Sequence, residues 1–511
     1  MKSFIKKYWL CIALLSVLNI IMIRYGILNH VLSSGNSGKN GLKTAAIIIG
    51  GIILNFAFLA VYNYAKKKQY SSEKIYLIVA LFIGVFTVFI TPIDYIPDEY
   101  RHIMRAYEIS KGNFIADRNE EGKAITQMPA SVYNSVKNKK KPKGNGYNAY
   151  RAAVSNIIHE TWEMKEVDYS TTAGYHPIVY LPHSLGIAVT NTFHISPVLG
   201  VYLGRLFELI CVVLMCYFAL KIIPKYKDIF TYFLLLPLTI QQSMGVAADG
   251  VLIGCGFLFI ASVLRLVYDK QSVINKKWLA ILYSTGIIIV ICKKIVYFPL
   301  LLILFLIPSN KFKSKRAKYI HIACIMLAAI AITGTWMFAQ ETTVSTGTNG
   351  LATVLDSPVD FIIRMFGSFF GSQSIDYYDQ IIGHALDYNE ISAHCCVYIF
   401  GAFALMIALL IRNTESIVIK KYERALYAII PTVIVCLIYF VSETQWEIRP
   451  DSVFIPGLNG RYLTPLLPLL PFMINMKKAG SPKRIDMDYV YIFMISFNVC
   501  MLTIKIVNNT F

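Results

Sequence analysis

The sequence predicts an all-α polytopic membrane protein, a class indicated by its composition and by the arrangement of its apolar residues. Of the 511 residues, 56% are hydrophobic and 15% are charged, whereas soluble domains carry roughly 25% charged residues. The apolar residues form repeated runs of the kind that cross a bilayer as helices. The mean hydropathy is correspondingly high, at +0.54.

About thirteen apolar runs are candidates for transmembrane helices. They are 5–27, 44–64, 75–93, 198–222, 229–240, 251–268, 278–292, 295–307, 319–339, 392–410, 425–440, 462–474 and 489–506. Several are shorter than the ~20 residues that a full crossing requires. We expect these runs to be extended by semi-polar flanks, or to break at mid-depth against protein.

The runs divide the chain into three parts. Residues 1–74 hold two extra N-terminal transmembrane helices, 75–475 form the main membrane domain, and 476–511 hold a C-terminal transmembrane helix. The N-terminus is basic but lacks a convincing small-residue cleavage site, so we interpret it as a first span and not as a removed signal.

The basic residues indicate the orientation. A net charge of +19 would suggest nucleic-acid binding in a soluble protein, but here the cations cluster in short loops between apolar runs, which is a topology signal. We therefore expect no nucleic-acid partner. With the N-terminus in the cytoplasm, every strongly basic short loop falls on the cytoplasmic side. These loops are 66–74, 221–227, 270–277, 311–318, 412–424 and 477–484.

The same orientation places 94–197 outside, as a large extracytoplasmic first loop with short surface helices. Within it, "HPIVYLPHSLGIAVTNTFHI" (176–195) is moderately apolar but carries three histidines and two prolines. Counting it as a span would move all later basic loops to the outside, against the positive-inside rule. We therefore expect an interfacial or re-entrant helix here.

The stretch "TPIDYIPDEYRHIMRAYEISKG" (91–112) at the start of this loop contains the candidates for catalysis. Pro97 suits the first position of a helix, so Asp98 and Glu99 fall in its first turn. His102 then shares a face with both acids. Asp98 or Glu99 can act as a general base that His102 orients or assists, and the two acids could hold a divalent cation such as Mg²⁺ or Mn²⁺. The alternative is that the acids only complement the helix dipole.

Further acids and one arginine are candidates for substrate contacts. Asp249 lies between two apolar runs, where an acid is a functional candidate by default, and we expect it to act as a second acid or acceptor contact. Asp94 and Arg105 belong to the stretch above and are expected near the substrate. Asp376 and Asp379 are less specific candidates for supporting or metal-binding groups.

Three cations are predicted to bind a phosphate group: Arg461, Lys294 and Arg205. Arg461 lies at the outer lip of a proline-rich short run and could grip a phosphate through two parallel hydrogen bonds. Lys294 and its neighbour Lys293 stand between apolar runs on the side that the positive-inside rule disfavours, so they need an anionic partner. The alternatives are snorkelling of the lysines and, for Arg205, a pair with Glu208.

A set of motifs follows in a fixed order along the chain: "PDEYRHIMRAYEISKG", "YLPHSLG", "VYLGRL", "LPLTIQQSMGVAADG", "KKIVYFPL" and "GLNGRYLTPLLPLL". The first resembles the signature P-D-E-x-x-H-x-x-R-A-Y-x-x-S-x-G of the bacterial polytopic membrane proteins grouped as DUF2142, and the others resemble that family's later blocks. The resemblance covers roughly 75–475. One position departs from the family pattern, because Asn459 stands where a glutamine is usual.

That family is similar to the GT-C superfamily of membrane glycosyltransferases. The resemblance implies a GT-C-like helical bundle with a large first outer loop and a polyprenyl-phosphate-linked sugar as donor. We therefore expect a membrane glycosyltransferase that moves a sugar to a cell-envelope glycan or glycopolymer. It would act on the outer face of a bacterial plasma membrane, with a cytoplasmic N-terminus.

Two other functions stay open at this point. The first is a flippase or transporter of envelope polysaccharide or lipid-linked glycan, which would need charged residues along a central path and not on one face. The second is a glycan polymerase or ligase, which would share the outer-loop chemistry. The sequence also leaves open which of Asp98 and Glu99 takes the proton, which sugar and acceptor are used, and whether a metal takes part.

Overall fold

The structure is a computed structural model that describes residues 2–34, 41–137, 149–158, 162–340, 354–371, 380–383, 399–403, 418–445, 452–455, 457–474 and 486–510. These residues are mostly helical. The elements are α1 (Lys2–Ser34), α2 (Gly41–Lys67), α3 (Ser72–Ile90), α4 (Glu99–Ser110), β1 (Ile125–Pro129), α5 (Ala130–Lys137), α6 (Ala149–Ile158), β2 (Met164–Asp168), α7 (Ser170–Ala173), α8 (Leu181–Thr192), α9 (Pro197–Ile222), α10 (Lys227–Leu234), α11 (Pro237–Gln242), α12 (Asp249–Tyr268), α13 (Lys276–Cys292), α14 (Lys315–Ala339), α15 (Pro358–Phe370), α16 (Lys421–Gln445), α17 (Leu470–Ile474) and α18 (Met487–Thr510). Stretches of 3₁₀-helix lie at Pro177–Tyr180, Phe298–Leu306, Ser309–Lys311 and Gly460–Leu469.

Eight of the described helices are long and apolar enough to cross a membrane: α1, α2, α3, α9, α12, α14, α16 and α18. Apolar helices of this length are the expected way to satisfy every backbone polar group inside lipid. The chain is therefore a mostly helical, multi-pass membrane protein, as its composition predicts.

The structure does not confirm the count of thirteen spans, and proline accounts for part of the difference. The run 229–240 divides into α10 and α11, with Pro237 at the start of the second helix. The run 462–474 begins as 3₁₀-helix containing Pro465 and Pro468 and ends in the short α17. Proline lacks the backbone N–H that an α-helix needs, so an apolar run with internal prolines does not form one long α-helix.

Two other predicted runs also differ from long α-helices. The run 295–307 forms the 3₁₀-helix Phe298–Leu306, whose nine residues rise about 18 Å, less than the ~30 Å of a hydrocarbon core. Helix α13, which contains the predicted run 278–292, has 17 residues, fewer than the ~20 residues of a full crossing. Most of the run 392–410 lies outside the described residues.

The segment between α3 and α9 folds into short elements that cover one end of the bundle. It contains helices α4 to α8 and a two-stranded antiparallel sheet, in which Ile125 of β1 lies opposite Asp168 of β2. Helix α8, within 176–195, has 12 residues and rises about 18 Å. That length is too short to cross a bilayer, which agrees with an interfacial or re-entrant helix.

Small residues allow α8 to lie directly on α9. A Cβ atom added to Gly186 of α8 would approach the backbone nitrogen of Gly204 to 2.4 Å, and one added to Gly204 would approach the carbonyl oxygen of His183 to 2.9 Å. Close backbone approach through small residues is a common packing mode of membrane helices. The site described below depends on this contact, because α9 carries Arg205 and α8 adjoins the first outer segment.

Helix α18 lies at the centre of the N-terminal helices. In its most apolar 18-residue stretch, 94% of the residues are buried. The helix packs against α1, α2 and α3. Polar contacts fix it: the side chain of Asn498 donates to Leu235 O at 2.9 Å, and Asp488 pairs with Lys66. Lys7 contacts the neighbouring Asp486, so the start of α1, the end of α2 and the start of α18 lie on the same side.

We predict that Gly186→Ala destabilises the protein by about 1–3 kcal/mol, because the new methyl group forces α8 away from α9. The matched control is Gly334→Ala in α14, where an added Cβ meets nothing within 4 Å and the better helix propensity of alanine favours the fold. Thermal unfolding of the purified variants in detergent measures the difference. Equal unfolding temperatures for the two variants would contradict the described packing of α8 on α9.

Candidate functional site

The site is built around the loop 91–98, where the chain leaves α3 and enters α4. Two aspartates in this loop, Asp94 (φ +66°) and Asp98 (φ +64°), adopt the left-handed backbone conformation. Aspartate is one of the few residues other than glycine that tolerates this conformation. The carboxylate of Asp94 accepts from the backbone N–H of Tyr100 at 3.1 Å. The Asp94 side chain is thus used to close the turn.

Glu99 and Arg205 form an ion pair in which both side chains are fully buried. Arg205 Nε donates to Glu99 Oε1 at 2.7 Å, and Nη2 donates to Oε2 at 2.5 Å. The same guanidinium donates to the carbonyl oxygens of Thr91 and Pro92, and Glu99 also accepts from the backbone N–H of Asp94 at 2.9 Å. This two-bond pair binds α9 to both ends of the loop.

A second group of charges, hereafter the charge cluster, comprises Asp98, Arg461, Asp249 and Lys293. Arg461 Nη2 pairs with Asp98 and Nη1 donates to the carbonyl oxygen of Pro97 at 3.0 Å. Its Nε lies 3.5 Å from Asp249 Oδ2, and Lys293 Nζ lies 2.8 Å from Asp249 Oδ1. Arg461 therefore bridges the two carboxylates.

The members of the charge cluster differ in exposure. The side chain of Asp98 is 54% exposed, whereas that of Arg461 is 3% exposed. Partial burial would raise the pKa of Asp98, but the nearby Arg461 outweighs burial and holds this pKa below its ordinary value. Burial would likewise lower the pKa of Lys293, but Asp249 raises it. Asp98 is thus an ionised carboxylate that solvent can reach.

His102 lies behind the charge cluster and is neutral. Its Nδ1 is hydrogen-bonded to the hydroxyl group of Tyr180, and the imidazole is buried. Burial, together with the charge of Lys293, lowers the pKa of His102 to about 3. A neutral imidazole fixed by Tyr180 can orient its neighbours, but it carries no charge at neutral pH.

A cavity of about 430 Å³ opens beside the charge cluster, within the ~300–1,000 Å³ range of small-molecule sites. One part of its wall is polar, with Lys293, Lys294, Tyr175, Tyr297 and Tyr462. Another part is apolar and includes Met337 near the end of α14 and Ile438 and Val441 of α16. The cavity is therefore suited to a ligand with a polar head and an apolar tail.

The two lysines of the cavity have different surroundings. Lys293 pairs with Asp249 and lies 4.6 Å from the ring centre of Tyr462. Lys294 lies 5.7 Å from the ring centre of Tyr175, and no ion pair with a described carboxylate holds it. Burial lowers the pKa of Lys294, because an ammonium group loses hydration there. Lys294 is the cation in this wall whose charge a bound anion can neutralise.

The structure brings together five of the residues singled out in the sequence: Asp98, His102, Asp249, Lys294 and Arg461. The others lie behind this group. Glu99 and Arg205 neutralise each other out of solvent, so Arg205 pairs with Glu99 and not with Glu208, and neither side chain is open to a donor phosphate.

The side chains of Asp94 and Arg105 also make hydrogen bonds to backbone groups. Asp94 closes the turn described above. Arg105 is buried and donates to the carbonyl oxygens of Phe114 at 2.6 Å and Tyr175 at 3.2 Å. It therefore supports the segment that presents Tyr175 to the cavity. Asp376 and Asp379 lie outside the described residues.

The tyrosines of the cavity were not singled out from the sequence. Tyr297 donates to the carbonyl oxygen of Tyr462 at 2.6 Å, which joins two of the ordered motifs, and Tyr175 precedes a third. The sequence feature that could have identified these tyrosines is their position beside charged residues of the motifs. Asn459, the departure from the family pattern, accepts from the backbone N–H of Arg461 at 3.1 Å. Its short side chain caps the 3₁₀-helix that carries Arg461.

The carboxylates predicted as metal ligands do not share a site. Asp98 faces Arg461, whereas Glu99 faces Arg205. Among the described residues, no group of three or more His, Cys, Asp or Glu side chains is arranged to hold a metal ion. The cations that pair with these two carboxylates are arginine side chains.

A family model described as "Predicted membrane protein (DUF2142)" matches residues 81–470. No curated protein and no solved structure matches the chain. The matched region contains the loop 91–98, the charge cluster and the cavity.

We predict that Arg205→Met lowers stability by about 3–5 kcal/mol, because it leaves the Glu99 carboxylate buried without a cation. The double variant Glu99→Gln with Arg205→Met should lose clearly less, since no isolated charge remains. Lys123→Met, which breaks an exposed pair with Glu121, is the control and should change stability little. Thermal unfolding in detergent compares all three. A double variant that is less stable than Arg205→Met alone would contradict the assigned pair.

Proposed function

The chain belongs to the DUF2142 family of predicted membrane proteins, and we propose that it is a membrane glycosyltransferase. It moves a sugar from a polyprenyl-phosphate donor to a hydroxyl group of a cell-envelope glycan or glycopolymer. One observation carries the proposal: an amphipathic cavity, whose Lys294 has no ion pair with a described carboxylate, lies beside the charge cluster that contains the ionised, solvent-accessible Asp98. A donor with a phosphate head and a lipid tail fits the cavity, and an acceptor hydroxyl fits the aspartate.

The charges of the wall favour a donor with a single phosphate. Asp98 is matched by Arg461, and Asp249 by Lys293. Lys294 has no carboxylate partner in the part of the chain that the structure describes, so it contributes about one positive charge there, which suits a phosphodiester of one negative charge. In a partly buried site an excess or deficit of charge is costly. A lipid monophosphate sugar is therefore the donor class that the wall supports.

The proposed reaction needs one bond made and one broken. The acceptor oxygen attacks the anomeric carbon of the sugar, and the bond between that carbon and the phosphate oxygen breaks. The lipid phosphate leaves with the electron pair, and Lys294 stabilises its growing negative charge. The acceptor proton passes to Asp98, acting as the general base.

Asp98 is a better candidate for the base than its neighbour. Glu99 is fully buried against Arg205, whereas half of the Asp98 side chain is exposed next to the cavity. The lowered pKa of Asp98 keeps it ionised and ready to accept a proton, although it also makes the carboxylate a weaker base. Arg461 holds the carboxylate in position, and neutral His102 supports the wall behind it.

The proposal includes a location and an architecture. The fold is of the GT-C-like kind, with additional short membrane segments that bring the total to about thirteen. The loop 91–98 and the cavity face the outside of a bacterial plasma membrane, and the N-terminus is cytoplasmic. The basic short loops support this orientation. The apolar part of the cavity wall then lies where a lipid tail can leave it into the bilayer.

We predict that Asp98→Asn lowers the rate of sugar transfer by about 10²–10⁴-fold, because the amide cannot accept the proton. The assay reconstitutes the purified protein in lipid and offers a panel of polyprenyl-phosphate sugars and envelope glycans. Glu121→Gln, an exposed acid in the same outer segment, is the matched control and should transfer at the normal rate.

Three results would contradict the assignment of Asp98 or the proposed reaction. Full transfer by folded Asp98→Asn would remove Asp98 as the base. Movement of lipid-linked glycans across vesicle membranes by a wild-type protein that transfers no sugar would instead support a transporter. Glycan chains lengthened in one step by preassembled blocks would point to a polymerase or ligase.

The pH dependence of the transfer rate should follow the protonation of the Asp98 carboxylate. Its pKa is held below the ordinary value, so the active carboxylate persists as the pH falls from neutral and is lost only when the pH passes through this lowered pKa. Arg461→Gln removes the cation but leaves the partial burial, so the pKa should rise and the acid limb of the rate profile should move to higher pH. An unchanged acid limb in Arg461→Gln would show that another group sets it.

A further inference from the structure

Lys505 is a buried cation in the terminal helix α18, beyond the family match that ends at residue 470. Its exposed fraction is 5%. A lysine inside a membrane helix is costly and is usually kept for a specific contact. Among the contacts of Lys505, the donation from its Nζ to Thr91 Oγ1 at 3.2 Å joins α18 to the first residue of the loop 91–98.

Thr91 is held by two cations from two helices. Its side chain accepts from Lys505, while its carbonyl oxygen accepts from Nη1 of Arg205 at 2.5 Å. The preceding carbonyl oxygen, of Ile90, accepts from the hydroxyl group of Tyr150 at 2.8 Å. The end of α3 is therefore fixed from α18, α9 and α6 together.

The contacts continue from Thr91 to the aspartate of the charge cluster. Arg205, which holds the carbonyl oxygen of Thr91, also binds Glu99, and Glu99 accepts from the backbone N–H of Asp94. Asp98 precedes Glu99 directly and has the left-handed backbone that the turn requires. A displacement of Thr91 is thus transmitted through the Arg205–Glu99 pair to the backbone of Asp98.

We infer that Lys505 is a positioning residue: through Thr91 it sets the loop 91–98, and through that loop the contact of Asp98 with Arg461. The inference makes α18, which lies outside the family-matched region, a functional support of the site. The link to Asp98 chemistry rests on the proposed function. The link between Lys505 and the loop does not, and it can be tested without transfer activity.

The first test is a double-mutant cycle of Lys505→Met and Thr91→Val, read out by hydrogen exchange in peptides that cover residues 91–101. Each single variant should speed exchange there by roughly 10-fold, and the double variant should match the single ones, because both changes break the same contact. Thr503→Val is the matched control on α18: its hydroxyl donates within its own helix, to Val499 O at 2.7 Å. It should leave exchange in the loop unchanged.

Three results of the cycle would overturn the inference. They are unchanged exchange in both single variants, additive effects in the double variant, and an equal effect from Thr503→Val. If Lys505→Met fails to fold, Thr91→Val alone still decides the question, because it removes the acceptor and leaves α18 intact. Unchanged exchange in that variant would then contradict the inference.

The second test is the pH profile of transfer. If Lys505 positions Asp98 against Arg461, Lys505→Met moves the acid limb to higher pH, and Lys505→Arg, which keeps the donor, restores it. A purely structural lysine would change the amount of folded protein but not the acid limb, so an unchanged limb would overturn the link to Asp98. The variants could show the hydrogen-exchange rates expected from the double-mutant cycle while the wild-type protein transfers no sugar. That result would support the contact between Lys505 and the loop and would contradict only the proposed function.

Discussion

The buried ion pair between Glu99 and Arg205 is the interaction on which the outer end of the molecule depends. In a low-dielectric interior each charge alone would be strongly unfavourable, so the two side chains must stay together. They are attached to elements that are far apart in the chain, α4 and α9, and their remaining hydrogen-bonding groups are used on the backbone of the loop 91–98. Because the two charges must stay paired, the backbone of the loop 91–98 is held in one conformation between α3, α4 and α9.

That conformation gives two adjacent acids opposite surroundings. The Glu99 side chain is buried in its pair with Arg205, while the Asp98 side chain pairs with Arg461 and keeps about half of its surface exposed. The left-handed backbone of Asp98 separates these two surroundings over a single residue. One acid supports the structure, and the other is available for chemistry.

The sequence predicted the long apolar helices well, because spanning a bilayer leaves a direct mark on composition. The run 198–222, for example, corresponds to α9 at Pro197–Ile222. Runs interrupted by proline were harder, since hydropathy alone does not distinguish one long helix from two short ones, as in the division at Pro237. The candidate residues Asp98, Asp249 and Arg461 could be selected because charges are rare among apolar runs.

Pairing between those residues could not be predicted from spacing. Glu208, three residues after Arg205, was the local candidate partner, but the guanidinium binds Glu99, which is 106 residues away in sequence. Helical side chains lean toward the N-terminal end of their helix, and the N-terminal end of α9 adjoins the loop. Arg205 therefore points to the loop and away from Glu208. Only the packing of α9 on α3 and α8, through glycines such as Gly204, decides this.

The bridge made by Arg461 has a consequence for how the protein is made. Asp98 and Arg461 are separated by 363 positions in the chain. At a synthesis rate of about 5–20 residues per second, the arginine is added roughly 20 to 70 s after the aspartate. During this interval the nascent chain holds Asp98 without its cation, while Asp249 already has Lys293, only 44 positions later. The charge cluster is therefore balanced only after residue 461 has been added, so a chain that stops before this residue holds the acids but not the bridge.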